Sequence, residues 1–374
     1  MWIWQQQEWP HFRYDSEGVI PVLEKTIRSV SPLVLLSKEL DADKQLELES
    51  QVLLDEALAT AKIEGEILDR ESVRSSIVNR LGTSKPTRLS KSSQAFIDVL
   101  LESIRQSSSM LCEKDLFKWH HMLFIEKPLL HDLVIGDYRD EKMQVISGRF
   151  GKQTIHFEAP CSNRACISIE MNHFLDWLEY KNCSSGYIKA AIAKLWFVTI
   201  HPFDDGNGRF SRLIAERCLA RTEQTNLRLY SLSTEIERNK IQYYNLLEQC
   251  QKGNMDITEW IVWFLSQIND AAQASMKKLA KIRLSTSFWD SHKETQFNER
   301  QRKLIIRLLE TTDFDEGISK RKYKNLVSTT DPTAVRDLKD LLSKKVLTVS
   351  GAGRSTKYHI EPLLSGNEGS FYEF

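Results

Sequence analysis

Twelve consecutive residues, His201-Pro-Phe-Asp-Asp-Gly-Asn-Gly-Arg-Phe-Ser-Arg212, gather a base, carboxylates, two glycines and two arginines. An apolar helical run ends at Ile200, and Pro202 with the Asp-Asp-Gly-Asn-Gly stretch forces a loop. An amphipathic run starts near Gly208. Gly206 and Gly208 carry no side chain, so backbone N–H groups at the helix start, with Asn207 between them, can close on an anion. Arg209 and Arg212 stand at i and i+3 on one face of the first turn. The helix macrodipole disfavours cations at that end, so the pair calls for a compensating anion. A polyphosphate supplies one, with bidentate recognition that lysine would not give. Asp205 is placed to bind a hard divalent cation bridging phosphates, and His201 to take a proton from an incoming nucleophile. Singly, each has a plainer explanation: a capping or core histidine, a turn, a loop aspartate. Their conjunction within one loop favours chemistry.

Helical periodicity surrounds this loop. Leu46 to Ile63, Gln94 to Ile104, Glu113 to Ile125, Ile167 to Tyr180 and Tyr187 to Ile200 precede it or lead into it. Arg209 to Thr222, Glu235 to Cys250 and Ile257 to Leu284 follow. Two β-prone runs from Met143 to Pro160, around Gly-Arg-Phe-Gly-Lys, predict a hairpin. Near the C-terminus, Asn298 to Glu310 predicts a helix, Ser319 caps a second, and Asp331-Pro332 opens a third. Val346 to Ser350 and Thr356 to Ile360 then flank Gly-Ala-Gly-Arg, which is winged-helix order. The expected organisation is a helical region over 1–93, a core over 94–290 and a winged-helix domain over 296–362, after a polar linker at Ser291 to Gln296.

The twelve residues resemble the Fic family motif, H-P-F-x-[DE]-G-N-G-R-x-x-R, at every specified position. The resemblance extends through Trp119-His120, Gly136-Asp-Tyr-Arg139 and Tyr243-Tyr244, and covers roughly Gln94 to Leu284. It implies a mainly α, helical Fic fold with a β-hairpin flap, and transfer of AMP from ATP to a Ser, Thr or Tyr hydroxyl of a target protein. In that reading His201 is the general base, Phe203 anchors the loop, and Asp205 holds Mg²⁺ or Mn²⁺. Gly206, Asn207 and Gly208 form the anion nest, Arg209 and Arg212 take the β- and γ-phosphates, and Tyr244 lines the adenine pocket. Where the family often has Asn, seven residues after Tyr244, this chain has Gln251. The hairpin Met143 to Phe157 resembles the flap that holds a target segment by main-chain pairing.

Upstream, Thr60-Ala-Lys-Ile-Glu64-Gly65 resembles the family's inhibitory motif, [ST]-x-x-x-E-[GN]. It implies that Glu64 pairs with Arg212 and restrains the enzyme. Two alternatives stay open: the same site removing AMP, with Glu64 activating a water, and a DNA-binding regulator or toxin–antitoxin-type protein whose site senses ATP. The aromatic N-terminus, Trp2, Trp4, Trp9, Phe12 and Tyr14, reads as packing of the chain end onto the body.

Composition excludes little else. The chain has 374 residues, 41% hydrophobic and 27% charged, and its 51 basic and 51 acidic side chains balance. No net field attracts nucleic acid or membrane. Locally, Gln296 to Ile360 holds 14 basic and 8 acidic residues, a difference of +6. There Thr333, Arg336 and Lys339 would face a DNA groove and Arg354 and Lys357 would sit on the wing, with Asp337 and Asp340 opposing on the same face. Protein docking or support of a homodimer fits the pattern equally. The six cysteines show no C-x-x-C pair and read as reduced thiols. No signal peptide is visible, and the most apolar run, Ala190 to Ile200, contains Lys194 and is too short to cross a bilayer. The reading is cytoplasmic, without a membrane partner, and the target protein is not identified.

Overall fold

The computed structural model describes residues 1–81, 91–125, 133–149, 152–310 and 316–360. It divides into two compact units, Met1–Met276 and Lys277–Phe374.

After a 3-10 turn at Ile3–Gln5, the first unit runs into α1 (Ser16–Lys38), which periodicity alone did not reveal. Pro21 and Pro32 interrupt its pattern, yet Asp15 caps Glu17 and Gly18 N–H groups, and Val19, Thr26, Val30 and Leu33 form a buried stripe. The apolar stripe outweighs two lost backbone bonds. Next come α2 (Ala42–Ile63), capped by Asp41, α3 (Arg70–Arg80), α4 (Lys91–Arg105) and α5 (Glu113–Leu123). Strands β1 (Gln144–Arg149) and β2 (Lys152–Glu158) pair antiparallel as the expected hairpin, with an irregularity between Val145 and Ile146. Phe150 and Gly151 of its turn lie outside the described residues.

After the hairpin come α6 (Arg164–Tyr180), α7 (Gly186–Ile200) and α8 (Asn207–Glu223). Helix α7 is buried from Tyr187 to Ile200 apart from Lys189, and α8 packs along it. The helix expected over Glu235 to Cys250 is two, α9 (Leu232–Arg238) and α10 (Lys240–Lys252). Asn239 breaks it at φ −105°, ψ 27°, and its side-chain amide donates to the Glu235 carbonyl and to Gln267. Helix α11 (Thr258–Ser291) follows, and the division between units falls within it.

Two of the expected thiols are not free. Cys161 and Cys166 form a disulfide, with Cα atoms 5.6 Å apart. Asn163 caps α6 through the Cys166 N–H and turns the chain between them, so a spacing that resembles no redox motif still meets. Cys112, Cys183, Cys218 and Cys250 are free.

The second unit holds α12 (Glu299–Glu310), α13 (Lys320–Leu326), α14 (Asp331–Ser343) and the antiparallel pair β3 (Leu347–Ser350) and β4 (Lys357–Ile360). Its core joins Phe288, Leu304, Leu309, Ile318, Tyr323, Leu338, Leu341 and Val346. Asp337 does not share the outer face of α14. It is 3% exposed and accepts from Arg300 (2.8 Å), Tyr323 (2.9 Å) and Asn298 (3.0 Å), while Arg336 and Lys339 stay outside. A tyrosine hydroxyl and a guanidinium needed an acceptor, which helical spacing could not foresee. The side chain of Arg354 lies outside the described set.

Candidate active site

His201 ends α7 in the left-handed region, at φ 53°, ψ 59°. A histidine there is strained by about 1–2 kcal/mol, so the surroundings must hold it. The buried Arg139 does so: its Nε donates to the His201 carbonyl at 2.7 Å, Nη1 to the Cys161 carbonyl at 2.6 Å and to that of Glu141, and its backbone N–H to Pro202 at 3.0 Å. The imidazole is fixed too. Nδ1–H donates to the Val198 carbonyl at 3.0 Å, leaving Nε2 as the lone-pair nitrogen. Burial, with help from the Arg139 charge, pushes its pKa down to about 4, so the ring is neutral at neutral pH.

The loop after His201 is built on aromatic packing. Phe203 is fully buried against Phe210 and stacks on the His120 ring at 4.3 Å. His120 takes the Gly136 N–H on Nδ1 (3.0 Å) and gives Nε2–H to the Asp205 carbonyl (3.2 Å). The side chain of Asn207 is committed: its amide bonds the Phe203 N–H (2.9 Å) and carbonyl (2.7 Å). It staples the loop, so only its backbone N–H remains for an anion. Gly206 caps α8 at φ 85°, and a Cβ at Gly208 would stand 2.5 Å from a carboxylate oxygen of Glu64. Backbone shape requires the first glycine and close approach the second.

Arg209 and Arg212 meet at this helix start. Arg212 is 2% exposed, while Arg209 lies over the Phe124 ring at 4.9 Å. The Nε of each is buried without a hydrogen-bond acceptor among the described residues. Such groups are costly unless something arrives to accept from them. Asp205 is exposed, one carboxylate oxygen taking the Gly206 N–H at 2.6 Å and the other 3.8 Å from Arg209. A single open carboxylate beside an anion nest fits Mg²⁺, which usually takes one or two protein carboxylates plus phosphate oxygens.

The occupant of Arg212 comes from α2. Glu64 bonds its Nη2 at 2.6 Å, and its own side chain is 26% exposed. Burial works to raise the Glu64 carboxyl, but the Arg212 guanidinium outweighs it and holds it below the usual carboxylate range. Helix α2 is anchored along its length. Glu56, 1% exposed, accepts from the Ser231 hydroxyl (2.8 Å) and the Ser233 N–H (3.0 Å) at the start of α9. Thr60 bonds Ser233 at 3.0 Å and Lys62 pairs with Glu237 at 2.6 Å. The Ile63 carbonyl accepts from Lys240 (2.7 Å) and from the Tyr244 hydroxyl (3.3 Å).

Tyr244 is thus 43% exposed beside the site while its hydroxyl holds the α2 terminus. Gln251 points elsewhere: it is 4% exposed and donates to Thr199 at 3.4 Å, on the core side. The structure brings His201, Asp205 to Arg209, Arg212, Tyr244 and Glu64 into one region. Sequence reasoning singled out His120 and Arg139 only through the resemblance, without a role, and gave no hint that Lys240 positions the α2 terminus. It also passed over Lys194, which is fully buried against Tyr243 (2.9 Å) and held by burial well below the ordinary lysine range. The signal for Lys194 was one charge inside an apolar helix. For Lys240 there was none.

Comparison with known proteins identifies the fold. The fold is the Fic fold: a Fic family protein from Desulfovibrio desulfuricans superposes with a TM-score of 0.57 at 18% identity, over 95% of this chain and 99% of that one. A Fic domain containing signaling protein from Bacteroides thetaiotaomicron gives 0.53 at 16%, over 69% and 96%. The sequence profile of the Fic/DOC family matches residues 110–219, so the chain carries a Fic/DOC domain. Residues 2–83 match a domain of unknown function, DUF4172. Over 91 residues, 24% of its length, the chain is 35% identical to the protein adenylyltransferase Fic of Aedes aegypti, and 34% identical to that of Drosophila willistoni. It spans 17% of the length of either relative. Among the described residues no helix is long and apolar enough to cross a membrane.

Proposed function

We propose that this protein is an adenylyltransferase that moves AMP from ATP to a Ser, Thr or Tyr hydroxyl of a target protein, and that Glu64 restrains it. One observation carries most of the weight: Arg212, at 2% exposure in the second turn of α8, takes its anion from a carboxylate lent by another helix. That is the arrangement of an anion site with a removable plug.

With ATP bound, Arg209, Arg212 and the α8 N-terminus would neutralise charge on the departing diphosphate. Neutral His201, its Nδ1–H tied to Val198, would accept the target hydroxyl proton on Nε2 as the oxygen attacks the α-phosphorus. The P–O bond to the new ester forms as the bond to diphosphate breaks. Asp205 would hold Mg²⁺, which supplies further charge stabilisation to the phosphates. The exposed flap residues Val145, Ile146 and Ile155 offer side-chain contacts to a target strand. The relatives named adenylyltransferases support the nucleotide assignment.

The test is incubation with labelled ATP, GTP, CTP and UTP, read as mass added to the chain itself or to a candidate target. ATP should label, and Glu64→Gly should raise labelling by ~10–150-fold, the worth of a charge-assisted bond of roughly 1.5–3 kcal/mol. Adding His201→Ala should lower it by ~10²–10⁴-fold while nucleotide binding persists. Labelling that survives His201→Ala would remove the assignment.

A further inference from the structure

A second carboxylate stands beside the pair of Glu64 and Arg212. Helix α2 ends in a Schellman turn: the Gly65 N–H bonds the Lys62 carbonyl at 3.2 Å and the Glu66 N–H the Ala61 carbonyl at 2.9 Å. Gly65 adopts φ 82° with nothing within 4 Å of a would-be Cβ, so the glycine serves backbone shape and not space. This turn returns the chain on itself and presents the side chains on either side of Gly65 to the same helix start. Glu64 reaches Arg212 at 2.6 Å, and Glu66 reaches Arg209 Nη1 at 3.5 Å.

The two arginines therefore face two anions two residues apart. Neither contact saturates its guanidinium, since both Nε atoms remain buried without an acceptor among the described residues. Arg209 has a weak alternative in Asp205 at 3.8 Å, so Glu66 adds an anion that the motif itself does not supply. A carboxylate has two oxygens and a phosphate has more, and a linked pair of phosphates offers both charges at once.

We propose that Glu64-Gly65-Glu66 mimics a diphosphate, Glu64 occupying the place of one phosphate on Arg212 and Glu66 that of its neighbour on Arg209. Glu66 is thus a second restraining residue, and the ligand class that lifts the segment is one with two linked phosphates. The inference rests on the self-restraint reading and extends it. Because the Glu66 side chain is 51% exposed, its share is the smaller.

Titration of the full-length chain with inorganic pyrophosphate, and separately with inorganic phosphate, tests this without chemistry. Glu66→Gln should tighten pyrophosphate binding by about two- to fivefold, in a salt-sensitive way. Glu64→Gly should tighten it by ~10–150-fold, and the double variant more than either. Glu71→Gln, an exposed carboxylate on α3, controls for the change in net charge. Glu66 sits at the surface, so its variant should fold. If Glu64→Gly tightens binding while Glu66→Gln matches Glu71→Gln, the plug is a single carboxylate and the inference is overturned. If neither Glu64→Gly nor Glu66→Gln tightens binding, self-restraint itself fails, and the inference with it. A preference for phosphate over pyrophosphate in the double variant would also overturn the diphosphate reading.

Discussion

At the scale of single residues, the site depends on neutral histidines held in one tautomer. His120 is the clearer case. It must accept the Gly136 N–H on one nitrogen and donate to Asp205 with the other, so a second ring proton would face an N–H group. Burial pushes its pKa down from 6.5 to about 4. The unfolded chain then binds the extra proton more readily between those values. Stability is complete above about pH 6.5 and falls as pH drops toward 4, by ~3 kcal/mol from this group alone. Urea unfolding across that range should show the loss, and His120→Gln, which can donate and accept without titrating, should flatten part of it. An unchanged acid slope in His120→Gln would place the sensitivity elsewhere.

At the scale of elements, the important joint is the end of α2. Gly65→Ala forces a side chain into the left-handed region at about 1–2 kcal/mol, a penalty felt only while the turn is formed. Labelling should rise by up to roughly 5–30-fold. Lys240→Met removes the donor to the Ile63 and Lys62 carbonyls and should raise it by about 2–10-fold. In both variants amide exchange over Ala61 to Glu66 should accelerate, a readout that a general loss of fold would spread across the chain. Legibility in the sequence followed the same boundary. The loop His201 to Arg212 was readable because its chemistry and its local geometry share twelve residues. The Glu64 carboxylate was readable through its resemblance, and its neighbour Glu66 was not, because its partner Arg209 lies 143 positions away and only the turn at Gly65 joins them. Helix α1 escaped because two prolines mask a stripe that burial sustains. The break at Asn239 escaped because the apolar pattern runs through it.

At the scale of the whole molecule, each unit has its own core, and the second begins before the polar stretch that suggested a linker. Phe288 is 1% exposed within the core formed with Leu304, Leu309 and Leu338. A fragment starting at residue 277 should unfold cooperatively in urea. One starting at residue 296 lacks Phe288 and should be less stable by roughly 3–5 kcal/mol, the cost of deleting a buried phenylalanine. Equal stability of the two would mean that Phe288 packs without contributing. The three helices and the β3–β4 pair of the second unit were legible because caps, the N1 proline and a glycine-bounded turn are local signals. The inward turn of Asp337 was not, because it answers to Arg300 and Tyr323 on other helices.

The left-handed backbone at His201 has a consequence for how this sequence can drift. Glycine there would relieve about 1–2 kcal/mol of strain. It would forfeit a hydrogen bond to Val198 of about 1 kcal/mol and lose roughly 0.5–1 kcal/mol to its freer unfolded chain. These nearly cancel. Backbone strain and this hydrogen bond therefore do not call for an imidazole here; in the proposed reading the proton transfer does.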